Sequence, residues 1–500
     1  MVENSFLGTV YRWWLGSKTF AIMNAIYVPF RNAYNNLAIV KRLRQPSKLQ
    51  ESYEKSLFAR IIRAVLDFIV RIIAAIASFL KPITENSAII RICKGSYVIN
   101  FEFLLGAFIC LMFTVPHEYW NNNYFILGSF GFFALYLILA GCGKRELYYP
   151  DKLGFPLLLC VLALIFSMFF SIVPSDSIRI LIFFLASFVF MYTIAADITT
   201  TERLTNLLSF IYAAVLVTSA YAIIQRCFNL VHVNASFTDL KANAGLPPRV
   251  TSTLNNPNDF AEFLVLFLPV SAVFAATRKK QGLSLVLCLA LAVPALALLM
   301  TYSRSGWISV MLAVFVYVWL RNKKLIPALI FLCIMAIPFM PASVMTRLAT
   351  LTSLKDSSSS HRLALWQGVV YMIRDYWLTG IGLGPKPFAA IYPLYAQLKA
   401  MDGAYHTQML YMELILEMGI LGFISFMWLA LRNIKNLIIS RKNKSGITKL
   451  VLIACTASFI GIAFSCIVEY IWFYPRDMFA YFILFGISVG TMRIGKEKSI

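Results

Sequence analysis

Apolar runs of about twenty residues recur along this 500-residue chain, and no other feature constrains the fold as tightly. Twenty residues in a helix span the hydrocarbon layer of a bilayer. A lipid-buried backbone must satisfy its own hydrogen bonds, which leaves helices or a closed barrel. We place candidate spans at 97–115, 123–141, 153–173, 177–196, 205–225, 258–276, 283–301, 305–320, 325–340, 408–431, 448–468 and 477–494. The expected fold is an all-α polytopic membrane protein with about twelve transmembrane helices.

Composition agrees. Hydrophobic residues make up 60% of the chain and charged residues 14%, with a mean hydropathy of +0.73. A soluble domain has roughly half apolar and a quarter charged residues. The net charge of +22 does not point to nucleic acid, because the basic residues flank apolar runs. Lys144, Arg145 and Lys152 follow the second span; Arg278, Lys279 and Lys280 the sixth; Arg321, Lys323 and Lys324 the eighth; Arg441, Lys442 and Lys444 the tenth; Arg493, Lys496 and Lys498 the last. Short alternate loops such as 117–122 and 174–177 have no Lys or Arg. The positive-inside rule then puts both termini in the cytoplasm, with anionic lipids as partners of that face. The nine cysteines show no metal-ligand or disulfide spacing, so we expect no metal and no cofactor.

Residues 1–95 precede the bundle as a cytoplasmic extension. Phe6 to Phe30 lacks a signal-peptide cleavage site and is expected to be retained. In 57–80, Arg60, Arg63, Asp67 and Arg71 recur at steps of three and four, as in an amphipathic helix lying on the membrane surface, the alternative being a spanning helix with its charged stripe against protein. Residues 96–500 form the transmembrane domain. A large outer loop, 341–407, separates spans nine and ten, and loops of this length are usually functional.

Four clusters at the outer membrane edge carry the candidate chemistry. Arg249 precedes Asn256-Pro257-Asn258 at a helix start, where exposed N–H groups and a guanidinium suit an anion. Arg304, in Tyr302-Ser303-Arg304-Ser305-Gly306, sits between two apolar runs and suits bidentate pairing with phosphate. His361, Arg362 and Trp366 stand in the outer loop, ahead of Leu378-Thr379-Gly380-Ile381-Gly382-Leu383-Gly384. His406 lies at the start of span ten, placed as a general base. Glu413 and Glu417 share its face if the helix begins by His406. No Walker, HExxH or DxD motif accompanies them.

These clusters, in this order, resemble the O-antigen ligase and O-antigen polymerase superfamily of bacterial inner membranes. The carriers are Arg249…Asn256-Pro257-Asn258, Ser303-Arg304-Ser305-Gly306, Arg362…Trp366…Leu378-Thr379-Gly380-Ile381-Gly382, and His406…Glu417-Met418-Gly419-Ile420-Leu421-Gly422. The resemblance covers about 97–495. Many relatives have His-Asn where this chain has His406-Thr407.

The resemblance implies a fold like the GT-C membrane glycosyltransferases. It implies a donor glycan on undecaprenyl diphosphate and a saccharide or lipid-linked glycan acceptor. The implied reaction is a metal-independent, inverting glycan transfer on the outer face. His406 and Arg304 are then the expected catalytic residues, and Arg249, Arg362, Asn258 and His361 the expected substrate-binding residues. The alternative is a membrane transporter or flippase of a small anion or lipid-linked glycan, which would place its polar residues near the midplane.

Overall fold

Backbone amides in hydrocarbon have no water to bond, and each apolar run of the described chain is helical. The computed structural model describes residues 48–85, 100–231, 247–254, 256–349, 357–396 and 403–495, with isolated positions before residue 48. Most of Phe6 to Phe30 lies outside the described residues, as do 232–246, 350–356 and 397–402 of the two long loops. Among the described residues there is no strand.

The helices in chain order are α1 (Lys48–Glu54), α2 (Leu57–Glu85), α3 (Phe101–Thr114), α4 (Asn123–Gly141), α5 (Phe155–Phe169), α6 (Pro174–Asp197), α7 (Thr201–Cys227) and α8 (Pro257–Ala276). They continue with α9 (Gln281–Ala290), α10 (Ala292–Met300), α11 (Arg304–Asn322), α12 (Ile326–Ala336), α13 (Ala342–Ala349), α14 (Ser357–Tyr376) and α15 (Pro385–Ile391). Last come α16 (Leu410–Ser440), α17 (Gly446–Ser465) and α18 (Pro475–Arg493). Among the described residues, seven stretches are long and apolar enough to cross a membrane: α4, α6, α7, α8, α9 with α10, α16 with the turn after it, and α17. The remaining expected spans coincide with α3, α5, α11, α12 and α18, which are shorter or more polar. The expected span 283–301 is broken at Leu291. Pro294 lacks an N–H and crowds the preceding turn, which accounts for the break.

α8, α17 and α18 form the centre and are buried over most of their length. Lipid tails are as apolar as leucine, so these helices associate by close packing at small residues. Gly486 and Gly490 stand one turn apart on α18 against α6. A Cβ at Gly486 would lie 2.7 Å from the Met191 carbonyl oxygen, and one at Gly490 2.6 Å from Ile198 Cβ. Gly461 of α17 similarly meets the Ser309 carbonyl of α11.

The two ends of the bundle differ. At one end Arg145 pairs with Glu102 at 2.9 Å and Asp197 at 3.2 Å, while Arg203 pairs with Glu102 at 2.9 Å. Arg493 bonds the Ala195 carbonyl and packs 3.8 Å from the Tyr148 ring centre. Arg441 bonds the Leu320 carbonyl. Lys444 bonds the Ile494 carbonyl, so the basic residues at 145, 441–444 and 493 meet at a common end. α2 packs along α4, with Ile73 over Gly141. Its Asp67 accepts from the Tyr149 hydroxyl at 3.0 Å, and Leu57, Ile61, Val65, Phe68, Ile72, Ile76 and Phe79 form an exposed apolar stripe.

Candidate active site

The opposite end collects the expected functional residues. Asn256 caps α8 by accepting from the Asn258 amide at 2.9 Å, which fixes Asn258 in the first turn. Residues 249–250 run beside the end of α10: Val250 N–H donates to the Met300 carbonyl and Arg249 Nε to the Thr301 carbonyl. Arg249 also donates to Asn258 Oδ1. The Asn258 amide donates in turn to Glu469 Oε1 at 3.1 Å.

Glu469 Oε1 also receives Arg362 from α14, at 3.0 Å. Arg362 Nε donates to Gln408 Oε1 at 3.0 Å, and the Gln408 backbone N–H donates to His406 Nδ1 at 3.1 Å. One hydrogen-bonded run thus joins Arg249, Asn258, Glu469, Arg362, Gln408 and His406. These residues come from three of the four sequence clusters plus the segment between α17 and α18.

The fourth cluster adjoins it. Ser303 caps α11 by accepting from Gly306 N–H, and Arg304 opens that helix. Arg347 of α13 reaches the Tyr302 carbonyl at 3.4 Å. Burial, then the charges of Arg347, Arg362 and Arg304, push Arg249 down to about 9, with Glu469 opposing. Arg249 therefore stays cationic at neutral pH. The site gathers several guanidinium groups near one carboxylate, a charge set that suits an anion.

His406 is half-buried against Phe473 and Tyr470, with ring centres 4.5 and 5.6 Å away. Burial, then the Arg362 charge, push its pKa down to about 4. The ring is neutral at pH 7. Because Nδ1 accepts from Gln408, the ring proton belongs on Nε2, and the lone pair of the ring is on Nδ1.

The expected shared helix face of His406, Glu413 and Glu417 does not form. α16 starts at Leu410, so His406 lies in the preceding loop. Glu413 turns back to accept the Thr407 N–H at 2.7 Å. Glu417 accepts from Gly384 N–H at 2.8 Å and the Tyr470 hydroxyl at 3.0 Å. The glycine-rich turn therefore grips α16. Ile381 N–H donates to the Leu416 carbonyl, and Ile420 N–H to the Trp377 carbonyl across a break at Gly419, φ 67°.

His361 lies on α14, but its side chain is outside the described residues. Trp366 Nε1 donates to the Thr407 carbonyl at 2.9 Å and fixes α14 beside the histidine loop. Sequence reasoning missed Glu469, Arg347 and Gln408. Glu469 carried a usable signal, an acid just past an apolar run on the expected outer face; Arg347 and Gln408 carried none beyond polarity. Among the described residues, no group of three His, Cys, Asp or Glu side chains could hold a metal ion. Farther along α14, Tyr371, Arg374, Asp375, Leu394, Tyr395 and Ala396 line a shallow cleft of about 470 Å³.

The family model described as O-antigen ligase matches residues 264–427. This stretch resembles an O-antigen ligase domain. The match supports a relation to the O-antigen ligase and polymerase superfamily and a glycan-transferring membrane enzyme. Within the matched ligase segment lie Arg304, Arg347, Arg362, Gln408 and His406, while Arg249, Asn258 and Glu469 flank it. The segment is narrower than the 97–495 over which the motifs resemble the family. No curated protein matches the chain.

Proposed function

We propose that this protein transfers a glycan from undecaprenyl diphosphate to a saccharide or lipid-linked glycan acceptor at the outer face of the bacterial cytoplasmic membrane. The observation that carries this is the hydrogen-bonded run from Arg249 to His406. It puts cationic groups suited to a diphosphate beside a neutral imidazole suited to a hydroxyl, in a chain with an O-antigen ligase match. The proposed frame has twelve crossings in a GT-C-like arrangement, with both termini cytoplasmic and the outer loop 341–407 between the ninth and tenth. Residues 1–95 lie on the cytoplasmic side, with α2 resting in a leaflet of anionic lipid.

In the proposed reaction the acceptor oxygen attacks the anomeric carbon from the face opposite the diphosphate. The carbon–oxygen bond to the diphosphate breaks, and the leaving group takes the electron pair. The hydroxyl proton passes to the lone pair at His406 Nδ1, a step worth roughly 10²–10⁴-fold in rate. Arg304, Arg249 and Arg362 neutralise charge growing on the leaving diphosphate, and Asn258 and His361 help hold the donor. Inversion follows from the single displacement, and no step needs a metal. The glycan runs along α14 over the Tyr371–Tyr395 cleft. Tyr371, nine residues after Arg362, is about 14 Å along the helix at 1.5 Å per residue.

The test uses purified protein in liposomes with an undecaprenyl-diphosphate oligosaccharide matched to the host polymer, in EDTA. Free undecaprenyl diphosphate and glycan size are followed for wild type and His406→Ala. Release with a product ladder, lost in the variant, is expected for a polymerase; release that requires an added acceptor marks a ligase. No release with any acceptor overturns the transferase and favours transport.

A further inference from the structure

The lone pair that the proposed reaction needs is already occupied. His406 Nδ1 accepts the Gln408 backbone N–H at 3.1 Å, and an acceptor hydroxyl cannot reach Nδ1 until that amide moves away.

Gln408 is held in a strained conformation. It is a non-glycine residue at φ 56°, in the sparsely populated left-handed region that persists only where surrounding contacts over-determine it. Its own side chain supplies such a contact, because Gln408 Oε1 accepts from Arg362 Nε at 3.0 Å. The preceding residue is pinned separately. Thr407 N–H is held by Glu413, and the Thr407 carbonyl by Trp366. The Thr407 hydroxyl also donates to the Met409 carbonyl at 2.8 Å and accepts the Met409 N–H at 3.2 Å, so Gln408 is the strained residue between two held neighbours.

Arg362 makes the connection to substrate. Its Nε goes to Gln408 and its terminal NH2 group to Glu469. These two groups form the edge of a guanidinium that grips a phosphate bidentately. A diphosphate seated on that edge displaces Gln408 and Glu469 together.

We propose that Gln408 is a positioning residue that keeps His406 Nδ1 covered until a lipid-linked diphosphate takes Arg362. Loss of the Arg362 bond lets Gln408 leave the left-handed conformation, and its amide comes off Nδ1. Donor binding thus uncovers the base, and the acceptor engages second. This rests on the diphosphate-donor reading above.

The test is spectroscopic and needs no acceptor. Full-length protein labelled with [15N]histidine is placed in lipid nanodiscs. The chain has four histidines, so the His406 signals are assigned by difference against His406→Gln. In the resting protein Nδ1 should be unprotonated and hydrogen-bonded. Saturating undecaprenyl diphosphate should shift its 15N resonance to that of a nitrogen free of a donor. Gln408→Ala should show the shifted resonance without ligand.

Occupancy is read independently from the 31P resonance of the added diphosphate. Bound diphosphate with an unmoved Nδ1 signal in wild type overturns the coupling, without relying on any variant folding. A wild-type Nδ1 that is protonated at rest also overturns it. Unbound diphosphate overturns the donor reading itself, and the coupling with it.

Discussion

At the residue scale, what matters is the shape of the charge as much as its sign. Arg304 opens α11 in a site shared with Arg249, Arg347 and Arg362. Lysine there keeps the charge but loses the planar fork. Arg304→Lys is expected to lower kcat/KM about 10- to 100-fold, the ~1.4 to 3 kcal/mol of a charge-assisted hydrogen bond. Donor turnover in liposomes measures it, with the melting temperature unchanged. Glu469 is expected to have the opposite effect, since it pairs with the Arg362 that the proposed donor takes. Glu469→Gln should lower the donor KM about fivefold, a difference of roughly 1 kcal/mol between charged and neutral hydrogen bonds.

The pH dependence follows from His406, whose pKa is depressed to about 4 by burial and by Arg362. The neutral, base-competent ring is present above that value and lost as pH falls through it. The kcat/KM profile should therefore show no histidine limb between pH 5 and 8. A limb near the ordinary value of about 6.5 that disappears in His406→Gln would contradict it.

At the element scale, the glycine-rich turn and the break in α16 are a matched pair. At Gly419 the backbone sits at φ 67°, and a Cβ there would collide with the Leu378 carbonyl. Gly419→Ala combines left-handed strain with a backbone clash, so a loss of about 2–4 kcal/mol is expected. It should appear as a lower melting temperature in detergent together with lost transfer, because α14 is anchored through the same turn. The sequence showed that both motifs were unusual but not that they touch. Their contact depends on chain segments about 40 residues apart meeting in space, with Glu417 joining Gly384 to Tyr470.

At the scale of the whole molecule, the two ends can be separated. Arg145, buried with Glu102 and Asp197 at the end opposite the arginine site, satisfies two acids at once. Arg145→Ala leaves Glu102 with Arg203 at 2.9 Å and Asp197 with the same Arg203 at 4.0 Å, so the expected loss is that of charge-assisted hydrogen bonds, about 1.5–3 kcal/mol. Thermal unfolding should shift down, while the surviving folded protein keeps its donor KM. A changed KM would mean that the ends are coupled through the bundle.

The sequence by itself determined the class of the protein. Apolar runs of membrane length can only be satisfied by helices, and basic loops group together because bundle topology alternates the ends. It also marked Arg249, Asn258, Arg362 and His406, because charged and polar groups are conspicuous beside hydrocarbon. Only the tertiary structure decided how they connect. Glu469 enters from beyond α17 to bridge Asn258 and Arg362, and Gln408 ties Arg362 to the histidine. Helical periodicity would have aligned His406 with Glu413 and Glu417. The start of α16 at Leu410 instead turns those acids inward, where they hold Thr407 and the glycine turn. Periodicity predicts neighbours along one element, whereas hydrogen bonds between distant segments depend on how the elements pack.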